Sequence, residues 1–288
     1  MRLLITGGCG FIGSNFVRYV LQHYGPEMVT NIDALTTGHL YTLGGVAEEF
    51  GERYEFLCAD VSDADKVEAV MSAHQYFAVV HFAAEGCGPD TTESLLERAR
   101  RHGLRRFLFV SKDGASGGLA EAEARALAAY RQHGQELVLT RATETYGPFQ
   151  SPPGLVPNII LQALREWPVS LAEDGGVRRD WLHVEDHCAA LFAALLDGQP
   201  GVVYRLAAGH EIRDIDLAHR ILEQLGRSLD LLPVPSALAE GQPSVGAAGP
   251  GHAEPLAWKP RHGLDAGLRT TVDWYVRHRA WLESLSEL

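Results

Sequence analysis

The first two dozen residues limit the fold more than any other stretch. Arg2-Leu3-Leu4-Ile5-Thr6 is a short apolar run, Gly7-Gly8-Cys9-Gly10-Phe11-Ile12-Gly13 follows at once, and Ser14 to Leu21 has helical periodicity. Strand, glycine turn and helix in that order need glycine at three places: the tight turn, the approach to a pyrophosphate, and the helix–strand contact. The first helical turn also offers unpaired N–H groups and the positive end of a dipole. Gly7, Gly10, Phe11, Ile12 and Gly13 are therefore candidate dinucleotide contacts. Val29-Thr30-Asn31-Ile32-Asp33 reads as the second strand. Its terminal acid lies about 20 residues after the last glycine, the spacing suited to a ribose hydroxyl. An acid there repels a 2′-phosphate, which favours NAD over NADP. A tight βα turn with no ligand is the bland alternative.

Helix and strand patterns then alternate, which predicts a parallel sheet with crossover helices. Strands are expected at 54–58, 78–82, 107–111 and 137–141, and helices at 41–50, 63–74, 91–102 and 119–133. Beyond residue 146 the alternation loosens. Helices are expected at 155–165, 184–196, 215–225 and 264–285, with short strands at 169–171 and 179–183 and an irregular stretch at 233–260. The fold class is α/β: a Rossmann-type doubly wound parallel sheet with a smaller C-terminal α/β lobe. The expected division is 1–145 for the dinucleotide-binding lobe, with 179–206 returning to it, and 146–288 for the second lobe. In open parallel sheets the site lies beyond the carboxyl ends of the strands. That rule adds Asp60, Ala83, Ala84 and Ser111 to the candidate cofactor contacts.

A net charge of −12 argues against nucleic acid and acidic membranes as partners. No apolar run approaches the roughly 20 residues of a membrane span, and no secretory signal precedes the first strand, so a cytoplasmic protein is expected. Arg98, Arg100, Arg101, Arg105 and Arg106 form a basic cluster that reads as a solvated helix end. Cys9, Cys58, Cys87 and Cys188 make no C-x-x-C pair, and the histidines lack ligand spacing, so no metal is predicted.

With these features in place, the chain resembles the extended short-chain dehydrogenase/reductases, and among them the dTDP-glucose 4,6-dehydratases. The matching motifs are Thr6 to Arg18, Asp33-Ala-Leu-Thr36, Val80-His-Phe-Ala-Ala-Glu85, Tyr146-Gly-Pro-Phe-Gln150 and Arg179-Asp-Trp-Leu-His-Val-Glu-Asp-His187. Trp258-Lys259-Pro260 and Gly267 to Tyr275 match the family's C-terminal end. The resemblance implies NAD as cofactor, with Val61 beside Asp60 in its site, a nucleotide-sugar ligand and a dimer built on two helices, of which 91–102 is a shortened counterpart. It also implies that Arg179 lies near the sugar nucleotide, although a salt bridge to a neighbouring acid accounts for it equally.

In that family a tyrosine takes the sugar hydroxyl's proton, and a lysine four residues later supports it. No Y-x-x-x-K occurs in residues 111–134; the two positions fall near Ala115 and Leu119. The family's Thr-Asp-Glu run becomes Lys112-Asp113-Gly114, so only the acid survives. The stretch from Glu85 to Gly103 is shortened, Pro152-Pro153-Gly154 replaces a Pro-Glu-Lys contact, and the arginines expected after Gly251-His252 are missing. General acid–base groups contribute about 100- to 10,000-fold each, so ordinary 4,6-dehydration is not expected. Two readings follow. The chain is a catalytically silent NAD-binding relative that acts through another protein, such as a dehydratase partner. Alternatively it is a nucleotide-sugar enzyme that uses Asp113 and Lys112 as atypical catalytic groups. Glu85, Cys87, Tyr130 and Tyr146 read better as hydrogen-bonding or packing residues than as chemistry.

Overall fold

The computed structural model describes residues 1–25, 28–36, 38–104, 106–152, 154–233 and 256–285, without the side chains of Glu85 and Asp174. Arg105, Pro153, Gly251, His252 and most of the irregular stretch lie outside the described residues. The chain forms β1 (Arg2–Thr6), α1 (Phe11–His23), β2 (Met28–Asp33), α2 (Val46–Phe50), β3 (Tyr54–Cys58) and α3 (Ala64–Ala73). Next come β4 (Ala78–His81), α4 (Ala84–Arg101), β5 (Arg106–Lys112), α5 (Gly117–His133) and β6 (Glu136–Ala142). The remainder comprises β7 (Glu144–Tyr146), α6 (Leu155–Leu164), β8 (Arg178–His183), α7 (Val184–Asp197), β9 (Val203–Leu206), β10 (Glu211–Arg213), α8 (Asp214–Leu225), α9 (Leu264–Arg277) and α10 (Arg279–Ser284).

Two compact units result. The first holds residues 1–142, 188–206 and 248–258; the second holds 143–187, 207–247 and 259–288. The returning segment thus begins at Cys188, not at 179. The reason is pairing: β8 joins β7 and β10 in a separate three-stranded sheet instead of extending the large one.

In the first unit seven parallel strands lie in the order β3-β2-β1-β4-β5-β6-β9. The order reverses between β1 and β4, which is where a doubly wound sheet opens a crevice for a dinucleotide. β4 is buried at every position, as a central strand covered on both faces must be. Phe107, Phe109, Leu137 and Leu139 pack beneath Leu119, Ala122 and Ala126 of α5. Burying side chains of this size contributes about 1.5–3 kcal/mol each. Arg106 is not part of a solvated cluster. It is buried, and its guanidinium donates to the carbonyls of Leu195, Leu196 and Gly198, capping the end of α7.

The second unit packs α6, α8, α9 and α10 around Tyr146, Trp181 and Tyr275. Several local expectations change. α4 starts at Ala84, well before residue 91, because Gly88 (φ 78°) and Pro89 kink the helix without ending it. Residues 169–171 form no strand; Val169 donates one backbone bond to Leu231. The expected helix at 41–50 is a 3-10 turn at Leu40–Leu43 followed by α2, and the C-terminal helix divides at His278. β7 and β10 are three residues each, too short to leave a period in sequence. Among the described residues no helix is long and apolar enough to cross a membrane.

Candidate functional site

The glycine turn joins β1 to α1 at the point where the strand order reverses. Gly7 has φ +76° and donates its N–H to Ile32. A Cβ on Gly7 would lie 2.9 Å from the Ala83 nitrogen, just after β4, so the two strand ends meet backbone to backbone. A Cβ on Gly13 would lie 2.3 Å from the Gly7 oxygen, whereas one on Gly10 would meet nothing closer than 3.4 Å. Gly10 is the N-cap of α1 and has no side-chain cap. The N–H groups of Phe11, Ile12 and Gly13 have no intrahelical acceptor, as at every helix start. The turn is closed behind Gly7 and Gly13 and open before Gly10, a form suited to a pyrophosphate.

Asp33 ends β2 and is 8% exposed. One carboxylate oxygen accepts from the Cys9 N–H at 2.8 Å, the other from the Leu35 N–H at 2.8 Å. Each oxygen keeps a lone pair, so the group is aimed and still able to accept from a ribose hydroxyl. Asp60 follows β3, is exposed, and accepts from the Ser62 N–H at 2.8 Å; that bond holds its carboxyl below the ordinary range. Val61 turns its side chain into the core, which leaves only its backbone for a ligand. Ala83 caps α4 just after β4, and Ala84, its first residue, is buried. Ser111 on β5 is buried with a hydroxyl that has no hydrogen-bond partner. All these candidates share the carboxyl edge of one sheet.

The groups nominated for chemistry sit further along that edge. Lys112 is exposed at the end of β5. Asp113 accepts from the Arg205 Nε at 2.6 Å, an ion pair with β9 that the sequence reading missed. Strand register carries the signal, since Ser111, Arg141 and Arg205 stand abreast on β5, β6 and β9. Leu119 is 7% exposed in the apolar core, and Ala115 packs against the same cluster. Tyr130 is wedged over Gly201, where a Cβ would fall 2.0 Å from its ring.

Cys87 lies 3.8 Å from the His81 Nε2. Burial pushes the Cys87 thiol up and His81 down to about 3. The pair is neutral, with His81 also bonded to Thr6 at 2.7 Å and Thr92 at 3.2 Å. It lacks the thiolate that a nucleophile needs.

In the second unit, Arg179 on β8 reaches both Asp214 oxygens at 3.0 and 3.1 Å and Glu144 at 3.7 Å. Burial raises the Asp214 carboxyl even though Arg179 draws it down. Tyr146 is fully buried, its ring edge-on to Trp181 and His183.

His183, Glu185 and His262 come within 4.8 Å through their ligand atoms, a grouping that sequence spacing did not expose. The two imidazoles stack at 4.2 Å and 28°, and both His262 nitrogens face carboxylates, Nε2 at 3.3 Å from Glu185 and Nδ1 at 3.1 Å from Asp186. Asp186 and Glu185 raise His262 to about 9, and burial lowers His183 to about 4. The cluster is a cationic ring laid on a neutral one.

This architecture is shared with known proteins. The NAD dependent epimerase/dehydratase family model matches residues 3–124 and 119–207. A dTDP-glucose 4,6-dehydratase from Streptomyces niveus is 34% identical over an alignment of 337 positions, covering 99% of this chain and 96% of that one. Another, from Streptomyces antibioticus, is 32% identical, covering 100% and 96%. An alignment of 337 positions against a 288-residue chain means the relative carries segments without a counterpart here. Among solved structures, the dTDP-glucose 4,6-dehydratase of Bacillus anthracis in complex with NAD superposes with a TM-score of 0.85 at 28% identity, covering 99% of both chains. That of Streptomyces venezuelae, with NAD and TYD bound, gives 0.86 at 28%, covering 99% and 100%. With a matched family model over most of its length and relatives above 30% identity from end to end, this chain belongs to the NAD dependent epimerase/dehydratase family.

Proposed function

We propose that this protein binds NAD and a nucleotide-sugar ligand and does not carry out ordinary 4,6-dehydration. It would act in the cytoplasm, as a homodimer or beside a catalytically complete dehydratase partner. Gly7, Gly10, Phe11, Ile12 and Gly13 would hold the pyrophosphate, Asp33 a ribose, and Asp60, Val61, Ala83, Ala84 and Ser111 the remaining cofactor edge. The open face at Gly10 and the spare lone pairs of Asp33 fit that group. NAD, when bound, supplies a hydride acceptor. The observation that carries the reading is Leu119. It is a buried apolar side chain near where the resemblance puts the family's lysine, and Ala115, near the tyrosine's place, packs against the same cluster. Without those groups a sugar hydroxyl has no partner to take its proton.

The second reading is an enzyme that uses Lys112 and Asp113, with Arg179 on the sugar phosphates. It is supported by an exposed lysine beside the surviving acid and by end-to-end relatives that are named dehydratases. One experiment separates the two. Mass spectrometry of the denatured protein reports bound NAD, and incubation of the loaded protein with dTDP-glucose and UDP-glucose reports loss of water or epimerisation. Bound NAD with no conversion is the expected result. Conversion that depends on Lys112 or Asp113 transfers the case to the second reading. A protein that neither carries nor binds a dinucleotide defeats both.

A further inference from the structure

Gly7, Gly10 and Gly13 have assigned roles in the turn, but Gly8 and the polar Asn31 of a central strand do not. We infer that Asn31 is a positioning residue for the pyrophosphate-facing turn, and that position 8 is glycine to admit its side chain. The inference rests on the NAD reading above.

Asn31 is fully buried on β2. Its Oδ1 accepts from the Gly8 N–H at 3.0 Å. Its Nδ2 donates to the Tyr54 hydroxyl at 3.2 Å and towards the Cys9 Sγ at 3.5 Å. Both amide hydrogens and the oxygen are thus engaged, and a flipped amide would set its NH2 against the Gly8 N–H. Tyr54 and Cys9 therefore fix which end of the amide faces the turn. A Cβ on Gly8 would lie 2.2 Å from Asn31 Oδ1, so no other residue at position 8 leaves room for this bond.

Asn31 and Asp33 are two apart on one strand and so point to the same face. From that face they take consecutive donors, Gly8 N–H by Asn31 and Cys9 N–H by Asp33. The turn is held from beneath at both peptides, which leaves the N–H groups at the start of α1 directed at the ligand. Asp33 also keeps lone pairs for a ribose, whereas the Asn31 amide is fully buried, with its oxygen committed to Gly8 and both amide hydrogens engaged. Its effect should therefore fall on the pyrophosphate and not on the nucleoside.

The test measures NAD, ADP-ribose and adenosine binding to the full chain by calorimetry, with adenosine read by competition. Asn31→Leu should weaken NAD and ADP-ribose by about tenfold while adenosine stays within about twofold. Tyr54→Phe, which only frees the amide to turn, should give the same pattern at roughly threefold, and it decides the matter if Asn31→Leu does not fold. Equal losses for all three ligands would mean a general structural role and overturn the inference. So would unchanged NAD affinity in the Tyr54 variant and in a folded Asn31 variant. If the unaltered chain binds no dinucleotide, the NAD reading falls and this one with it.

Discussion

The glycine turn and the β5–α5 connection lie on the same sheet edge and are held in different ways, one by hydrogen bonds and the other by apolar packing. In the turn, four backbone N–H groups have fixed acceptors: Gly8 to Asn31, Cys9 and Leu35 to Asp33, Gly7 to Ile32. Where β5 passes into α5, Ala115 and Leu119 both pack in an apolar cluster. The surviving acid, Asp113, is tied to Arg205, and Ser111 keeps a buried hydroxyl with no partner. Cofactor recognition depends on backbone shape, which a change at one side chain seldom improves. Proton transfer depends on two or three side chains, and these can be replaced without disturbing the sheet. Binding and chemistry can therefore change independently along one sheet edge.

The largest expected effect strikes the turn. Gly13→Ala puts a methyl group against the Gly7 carbonyl, and NAD affinity should fall at least about a hundredfold, or roughly 2.7 kcal/mol, by calorimetry with circular dichroism unchanged. A near-normal affinity would break the contrast at its stronger end. Leu119→Lys tests the other region. If the position is core, an ammonium buried there costs about 2–4 kcal/mol in chemical unfolding. A neutral result would mean the site still accepts the family's lysine.

A pH series separates both regions from the second unit. Cys9 and Tyr54 beneath the turn are pushed up to about 12, mainly by burial, so these groups should leave NAD affinity flat between pH 6 and 9. His262 is raised from 6.5 to about 9 by Asp186 and Glu185. Its contribution should be complete below pH 6.5 and be lost as pH rises through 9. Solvent screening limits this to about 1–2 kcal/mol. His183, lowered to about 4 by burial, acts in the opposite sense, so its strain grows as pH falls from 6.5 towards 4. The stability against chemical unfolding, measured across pH 4–10, should therefore peak near neutrality, and His262→Gln should flatten its alkaline side. The smallest effect is expected from Asp113→Asn, which loses a half-exposed ion pair worth under about 1 kcal/mol and should leave NAD affinity within about twofold. A larger loss would place Asp113 in the cofactor site.

The large sheet was legible because its signals are local. β1, β2, β4, β5 and β6 each have a run of buried side chains, and the crossover helices have their own period. Short elements were not legible. β7 and β10 have three residues each, and their pairing with β8 is between segments distant in the chain. The sequence pattern places the start of α4 at residue 91, whereas in the fold a helical piece from Ala84 continues across Gly88 and Pro89. Asp33 was recognisable as an acid at a set distance from the glycines. Asn31 was not, because its role exists only once the turn folds over β2.

From its order of residues alone, this chain determines a parallel sheet, an open glycine turn and the absence of a Tyr-x-x-x-Lys pair between residues 111 and 134. Those features depend on neighbours along the chain, where spacing and residue type suffice. Only the tertiary structure decided that Asp113 belongs to Arg205, that Arg179 belongs to Asp214 and Glu144, and that His262 stacks on His183. The partners in these contacts are 92, 35, 35 and 79 residues apart. Charge complementarity alone could match each of them to many alternatives; strand register and helix packing select one.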